Sequence, residues 1–209
     1  MKPKTLVLFD FDGTLSKRDS LLPFILFSVK PMNLILKAAI WSFRLFGLLL
    51  RGKLNKERAK EALMASLYKG LTKAQLNELG SRFFAVKSKD LMYPDMMQIM
   101  HQYKTDGATV AIVSAAVDIW LEAFCVQQKV ALICTQTAFD GEYFTGKFAG
   151  PNCNNEEKVR RIKERFSLDQ FDHIIAYGNT KGDWPMLGLA HESWYMQSDG
   201  LSKFNRNLN

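Results

Sequence analysis

The sequence predicts an α/β fold, a Rossmann-like parallel sheet with an all-helical cap inserted after its first strand. Three observations predict it. Leu6, Val7, Leu8 and Phe9 form an uninterrupted apolar run of the kind buried on both faces in a parallel sheet. From about Ala108, strand-like and helix-like segments alternate, the pattern that builds such a sheet. Between them, from Ser16 to Met92, the chain reads as helical throughout with no clear strand. The expected division is a core of residues 1–15 and 93–209 and a cap of residues 16–92.

The first strand stops at Asp10 and Asp12, followed by Gly13 and Thr14. If extended geometry continued, the two carboxylates would point the same way, and Gly13 would let the chain turn sharply beyond them. Like charges that close repel unless a cation sits between them or one acid holds a proton. A plainer reading is that Asp-Gly simply marks a turn. After the cap, "YPDMMQIMHQYKTDG" reads as a helix started near Pro94 and closed by Gly107. "ATVAIVSAA" is the next strand, "VDIWLEAFCVQQ" a helix and "ALICTQ" a strand. A polar hairpin-like stretch, the helix "NEEKVRRIKERF" and the strand "HIIAYG" complete the alternation.

Ligands of open α/β sheets sit beyond the carboxyl ends of the strands, which directs attention to Asp10–Thr14, Ser114–Ala116 and Gly178–Asp183. Ser114 and the amides near Ala115 could bind a phosphate oxygen at a helix entry, or Ser114 could be an ordinary helix cap. Asn179 and Asp183 offer oxygen ligands in a turn, or simple loop and capping chemistry. Lys158 could neutralise a phosphate and its surrounding carboxylates, or be one more solvated lysine on a basic helix.

Composition bounds the function. The 209 residues, 47% hydrophobic, suit one substantial folded domain with an insertion. The excess of 28 Lys and Arg over 21 Asp and Glu, net +7, fits nucleic acid, an anionic membrane surface or phosphorylated substrates. Nucleic-acid binding is not expected, because aromatic and basic residues do not interleave outside the cap. Cys125, Cys134 and Cys153 form no CxxC pair, so neither a disulfide framework nor a cysteine zinc site is expected and a reducing cytoplasm fits. No signal peptide is read at the N-terminus, where Asp10 interrupts a short apolar run.

Taken in order, "DFDGTL", Ser114, Lys158 and "GNTKGD" resemble the haloacid dehalogenase superfamily of phosphatases, particularly the branch containing phosphoserine phosphatase. The resemblance implies the fold of that family and makes Asp10 the nucleophile that forms an aspartyl-phosphate. It makes Asp12 the acid that protonates the leaving alcohol and then the base that activates water. Gly13, Thr14, Ser114, Ala115 and Lys158 would bind the phosphoryl group. Mg²⁺ would be held by Asp10, the Asp12 carbonyl, Asn179 and Asp183. Many relatives carry an acid where this chain has Asn179.

The cap bears on the substrate. Phosphoserine phosphatases have a Glu where this chain has Asp19, and a more polar cap. From Leu21 to Leu50 the charges are Lys30, Lys37 and Arg44, with Arg51 just beyond, one every seven residues. A helix drifts only about 20° per heptad, so these cations would form one stripe on an apolar surface. The uncharged runs are shorter than the roughly 18 residues of a membrane span. Two readings remain: a helix lying on an anionic membrane, its cations snorkelling, or a pair of helices packed on each other. The cap resembles that of the phosphatidylglycerophosphatase C type, which implies a lipid or other apolar phosphate as substrate and a place at the inner face of a membrane.

Overall fold

The computed structural model describes residues 3–30, 40–43, 45–46, 49–50 and 55–204. Strand β1 (Thr5–Phe9) is buried on both faces and lies between β2 and β6. Val7 and Phe9 pack into one hydrophobic cluster, Leu6 and Leu8 into the other, as alternating side chains must. The helical segment follows, with α1 (Leu21–Ser28), α2 (Lys56–Tyr68) and α3 (Lys73–Leu91). Between α1 and α2, the described residues from 40 to 50 are helical. Its entering and leaving strands lie side by side, Lys17 N donating to Leu91 O at 2.8 Å and Tyr93 N to Leu15 O at 2.9 Å.

Then come α4 (Pro94–Thr105), β2 (Thr109–Val117), α5 (Asp118–Gln128) and β3 (Ala131–Thr135). The hairpin β4 (Thr137–Asp140) and β5 (Tyr143–Phe148) leads to α6 (Glu156–Arg165), β6 (His173–Gly178), α7 (Trp184–Leu189), β7 (Glu192–Gln197) and β8 (Gly200–Lys203). The sheet order is β3-β2-β1-β6-β7-β8, parallel except for the antiparallel β7–β8 pair. This is the expected α/β class, and it places the carboxyl ends of β2, β1 and β6 next to one another.

Helical segment and sheet share one apolar cluster. Phe24 of α1 stacks on Trp120 of α5 and meets Phe83 of α3 edge-on, while Phe11 contacts Phe84 and Phe124. Of the apolar cap run, Phe24 and Ile25 are buried there, whereas Leu22, Leu26, Phe43, Phe46, Leu49 and Leu50 are exposed. Lys30 is exposed; Lys37, Arg44 and Arg51 lie outside the described residues.

Candidate active site

At the end of β1 the chain wraps around one carbonyl: the N–H groups of Thr14, Leu15 and Ser16 all donate to Phe11 O, at 3.2, 3.0 and 2.9 Å. This turn removes the condition, continued extended geometry, under which Asp10 and Asp12 would point the same way. The extended geometry ends at Phe9, and the two carboxylates take different partners. Asp10 faces the sheet, where its Oδ1 accepts from Lys158 Nζ at 2.7 Å. Asp12 faces the cap, where its Oδ1 accepts from Ser20 N at 2.9 Å. They remain within electrostatic reach. Burial pushes the Asp10 carboxyl up to about 7 against the pull of Lys158, with Asp183 and Asp12 adding to the rise. Burial and then the charge of Asp19 raise Asp12 to about 6, opposed by the Ser20 hydrogen bond and by Lys60.

Lys158, in the first turn of α6, is not a solvated lysine but 1% exposed. Its ammonium donates to Asp10 Oδ1 at 2.7 Å, Val113 O at 2.8 Å and Asp183 Oδ1 at 2.5 Å, so all three of its hydrogens have acceptors. Burial alone would lower its pKa, yet the two carboxylates hold it above the ordinary lysine value. Asp183 stays below the usual carboxylate range despite burial, because Lys158 and Thr180 bond its charged form. Its second oxygen accepts from Asn179 N, Thr180 N and the Thr180 hydroxyl at 3.1, 2.8 and 2.8 Å. Both Asp183 oxygens are therefore engaged in locking the turn after β6 and in holding Lys158.

Gly13 and Asn179 fit against each other. Gly13 has φ +81°, and a Cβ there would stand 2.0 Å from Asn179 Nδ2, so backbone conformation and space both require glycine. The Thr14 hydroxyl, fully buried, lies 3.3 Å from Asp10 Oδ2 and 3.4 Å from Asn179 Oδ1. These two oxygens thus converge on one point beside the Asp12 turn. Among the described residues no group of three His, Cys, Asp or Glu side chains converges so. The donor set fits a hard divalent cation all the same. Among the described residues Asp10 Oδ2 has the Thr14 hydroxyl as its hydrogen-bond partner, and Asp10, Asp12 and Asp183 outnumber Lys158 and Lys60.

Ser114 sits at the end of β2, its hydroxyl oxygen accepting from Ala116 N at 3.0 Å. It is not a helix cap, since α5 starts four residues later at Asp118 with Val117 as its N-cap. The β2–β3 register breaks between Ser114 and Val117, so that Ser114 still pairs with Cys134 while residues 115–116 are left out of the ladder. The loop before α6 is keyed to the Gly178–Asp183 turn, Asn155 N donating to Gly182 O at 3.0 Å. Sequence reasoning missed one residue here. Lys60 of α2 reaches the same end of β2, its Nζ 2.5 Å from Ala115 O. A lysine on a charged helix gives no signal of this kind.

The model of the haloacid dehalogenase-like hydrolases matches residues 7–188. Protein CicA of Caulobacter vibrioides is 32% identical over 198 residues, which span 91% of this chain and 85% of that protein. A protein of unknown function from Bordetella pertussis Tohama I has a TM-score of 0.74 at 20% identity, covering 92% of this chain and 89% of that one. The phospho-aspartyl intermediate analogue of a phosphoserine phosphatase has a TM-score of 0.60 at 18% identity, covering 92% and 86%. At these identities the two structures speak for the fold.

Proposed function

The chain belongs to the haloacid dehalogenase-like hydrolase family, and from that membership we propose that it is a Mg²⁺-dependent phosphomonoesterase working through an aspartyl-phosphate on Asp10. The observation that carries the reading is the buried Asp10 carboxylate, held by Lys158 on one oxygen and facing Thr14 and Asn179 with the other. Mg²⁺ held by Asp10, the Asp12 carbonyl and the turn carrying Asn179 and Asp183 would offset the repulsion between an anionic nucleophile and an anionic phosphate. Asp183 then serves as the orienter of Lys158 and of the turn carrying Asn179.

In the first step the Asp10 carboxylate attacks phosphorus, the ester P–O bond breaks, and Asp12 gives its proton to the leaving oxygen. In the second, Asp12 takes a proton from water, whose oxygen attacks phosphorus and releases phosphate and Asp10. Lys158, Ser114 and the amides around Ala115 share the charge that builds on the phosphoryl oxygens. Asp12 is suited to its role by facing the cap, the side from which a leaving group departs.

The substrate would be a phosphorylated small molecule, with a lipid or other apolar phosphate favoured by one feature beside Asp12. Asp19, whose charge acts on Asp12, lines a cavity of about 650 Å³ together with Leu22, Leu26, Phe27, Arg18 and Lys87. Its walls are mainly apolar, with Arg18 and Lys87 balanced by Asp19 and Asp90, and suit an apolar leaving group. Release of phosphate from p-nitrophenyl phosphate tests the class: the wild type should turn over with Mg²⁺ and stop on chelation, and Asp10→Asn should abolish turnover with its melting temperature retained. Persistent turnover by Asp10→Asn removes it from the nucleophile's role. A second reading, a membrane-surface or partner-binding module with little turnover, is favoured by the neutral Asn179 and the exposed apolar cap residues. Absence of metal-dependent phosphate release would select it.

A further inference from the structure

Helix α2 presents Glu57, Lys60 and Glu61 on one face, at i, i+3 and i+4. All three bond core groups. Glu57 Oε1 accepts from Asn152 N at 2.7 Å, just beyond β5, and Glu61 Oε2 from Phe148 N at 2.8 Å, at the end of that strand. Lys60 alone of the three crosses to the end of β2, where it donates to Ala115 O at 2.5 Å and lies 3.4 Å from Asn152 Oδ1. Its ammonium also stands 5.7 Å from the centre of the Phe148 ring.

Ala115 falls where the β2–β3 register is broken, and its carbonyl is taken up by two side chains, the Thr135 hydroxyl at 2.8 Å and Lys60. Because a peptide unit is planar, the direction of the Ala115 carbonyl fixes the direction of the Ala116 N–H on the same plane. That N–H donates to Ser114 Oγ at 3.0 Å and so orients the Ser114 hydroxyl. A pull on one end of the plane is felt at the other.

We propose that Lys60 is a positioning residue: from the cap it holds the Ala115–Ala116 peptide plane, and with it Ser114, in the orientation that binds the phosphoryl group. The inference rests on the phosphatase reading of the Asp10 site. It makes the core site complete only while α2 is seated, coupling the cap to chemistry through one hydrogen bond. Burial lowers the pKa of Lys60 below the ordinary lysine value, and the charges of Asp12 and Asp19 oppose that fall.

Full-length Lys60→Met, Lys60→Arg and Glu61→Gln or Glu61→Ala, assayed on p-nitrophenyl phosphate at saturating Mg²⁺ with inorganic phosphate as inhibitor, test this. Methionine keeps the methylenes and loses the donor. Lys60→Met should lower kcat/KM by about 10–100-fold, the order expected of a misplaced binding group, and weaken inhibition by phosphate in step. Lys60→Arg should recover most of both. The Glu61 variants, which cost the cap a core contact but leave Ala115 alone, should change neither by more than about threefold. Lys60→Met staying within twofold of wild type, or Glu61→Ala matching its loss, overturns the proposal. Should the wild type release no phosphate, the phosphatase reading fails separately. Calorimetric titration with inorganic phosphate then still decides the role of Lys60, weaker binding by Lys60→Met supporting it and equal binding refuting it.

Discussion

Lys158 is enclosed by two carboxylates and one carbonyl, and a buried ammonium of this kind is stable only because each of its hydrogens is taken. The surrounding acids still outnumber it, which makes the position of Asn179 informative. Its Oδ1 shares the Thr14 hydroxyl with Asp10, so Asn179→Asp would place a further negative charge beside Asp10 and Asp183. Two outcomes follow in opposite directions. Without metal the added charge is partly buried and repelled by its neighbours, and the melting temperature should fall. With Mg²⁺ the charge joins a hard-cation shell, and affinity should tighten about tenfold, or ~1.4 kcal/mol. Titration calorimetry and melting curves with and without Mg²⁺ measure both; equal metal affinity would put this side chain outside the coordination sphere. Asp12→Asn should lose about 10²–10⁴-fold in turnover through its acid/base step, with the melting temperature near wild type.

Helix α3 lies on α5 so closely that Gly80 has no room for a side chain. An added Cβ would come within 2.4 Å of Ile119 O and 3.0 Å of Trp120 Cα, and both are backbone atoms that cannot swing aside. Local preference and packing therefore disagree about Gly80→Ala. Alanine gains about 1 kcal/mol of helix propensity, while overpacking a filled interface costs about 1–3 kcal/mol. Packing should win, with a net loss of up to about 2 kcal/mol in urea denaturation; a stabilised variant would mean that the two helices can part. Such close packing was invisible in the sequence, where a mid-helix glycine only lowers the helical signal. The buried strands were legible because β1, β2 and β6 need continuous apolar runs to be covered on both faces. Strands β7 and β8 were not, since "ESWYMQ" and "GLSK" at the sheet's edge are half-buried and need no such run. The carboxyl ends of β1, β2 and β6 point to Asp10, Asp12, Ser114 and Asp183 by position, whereas the burial of Lys158 on α6 and the different partners of Asp10 and Asp12 depend on tertiary packing that alternation cannot foresee.

Helical segment and sheet are joined by a continuous aromatic cluster, so apolar residues of the cap are used in two ways. Phe24 and Ile25 go inward, while Phe43 is 79% exposed and Leu50 71%. Leu22, Leu26, Phe46 and Leu49 add to the exposed apolar area, more than scattered surface residues require. Among the described residues no helix is long and apolar enough to cross a membrane, and the exposed apolar side chains could serve a surface-lying contact. The chain's net charge of +7 would favour an anionic surface, and screening should weaken the attraction as salt rises. Cosedimentation with vesicles containing anionic lipid should therefore carry the protein down at low salt, less at high salt, and less with neutral vesicles. Replacing Phe43 and Leu50 together by Ser should reduce binding by about 10-fold or more, because each buried large side chain is worth about 1.5–3 kcal/mol. Hydrolysis of p-nitrophenyl phosphate by the same variant should stay near wild type, since neither residue touches the Asp10 site. Wild-type protein remaining wholly in the supernatant at low salt would refute the membrane contact and leave these side chains to a protein partner.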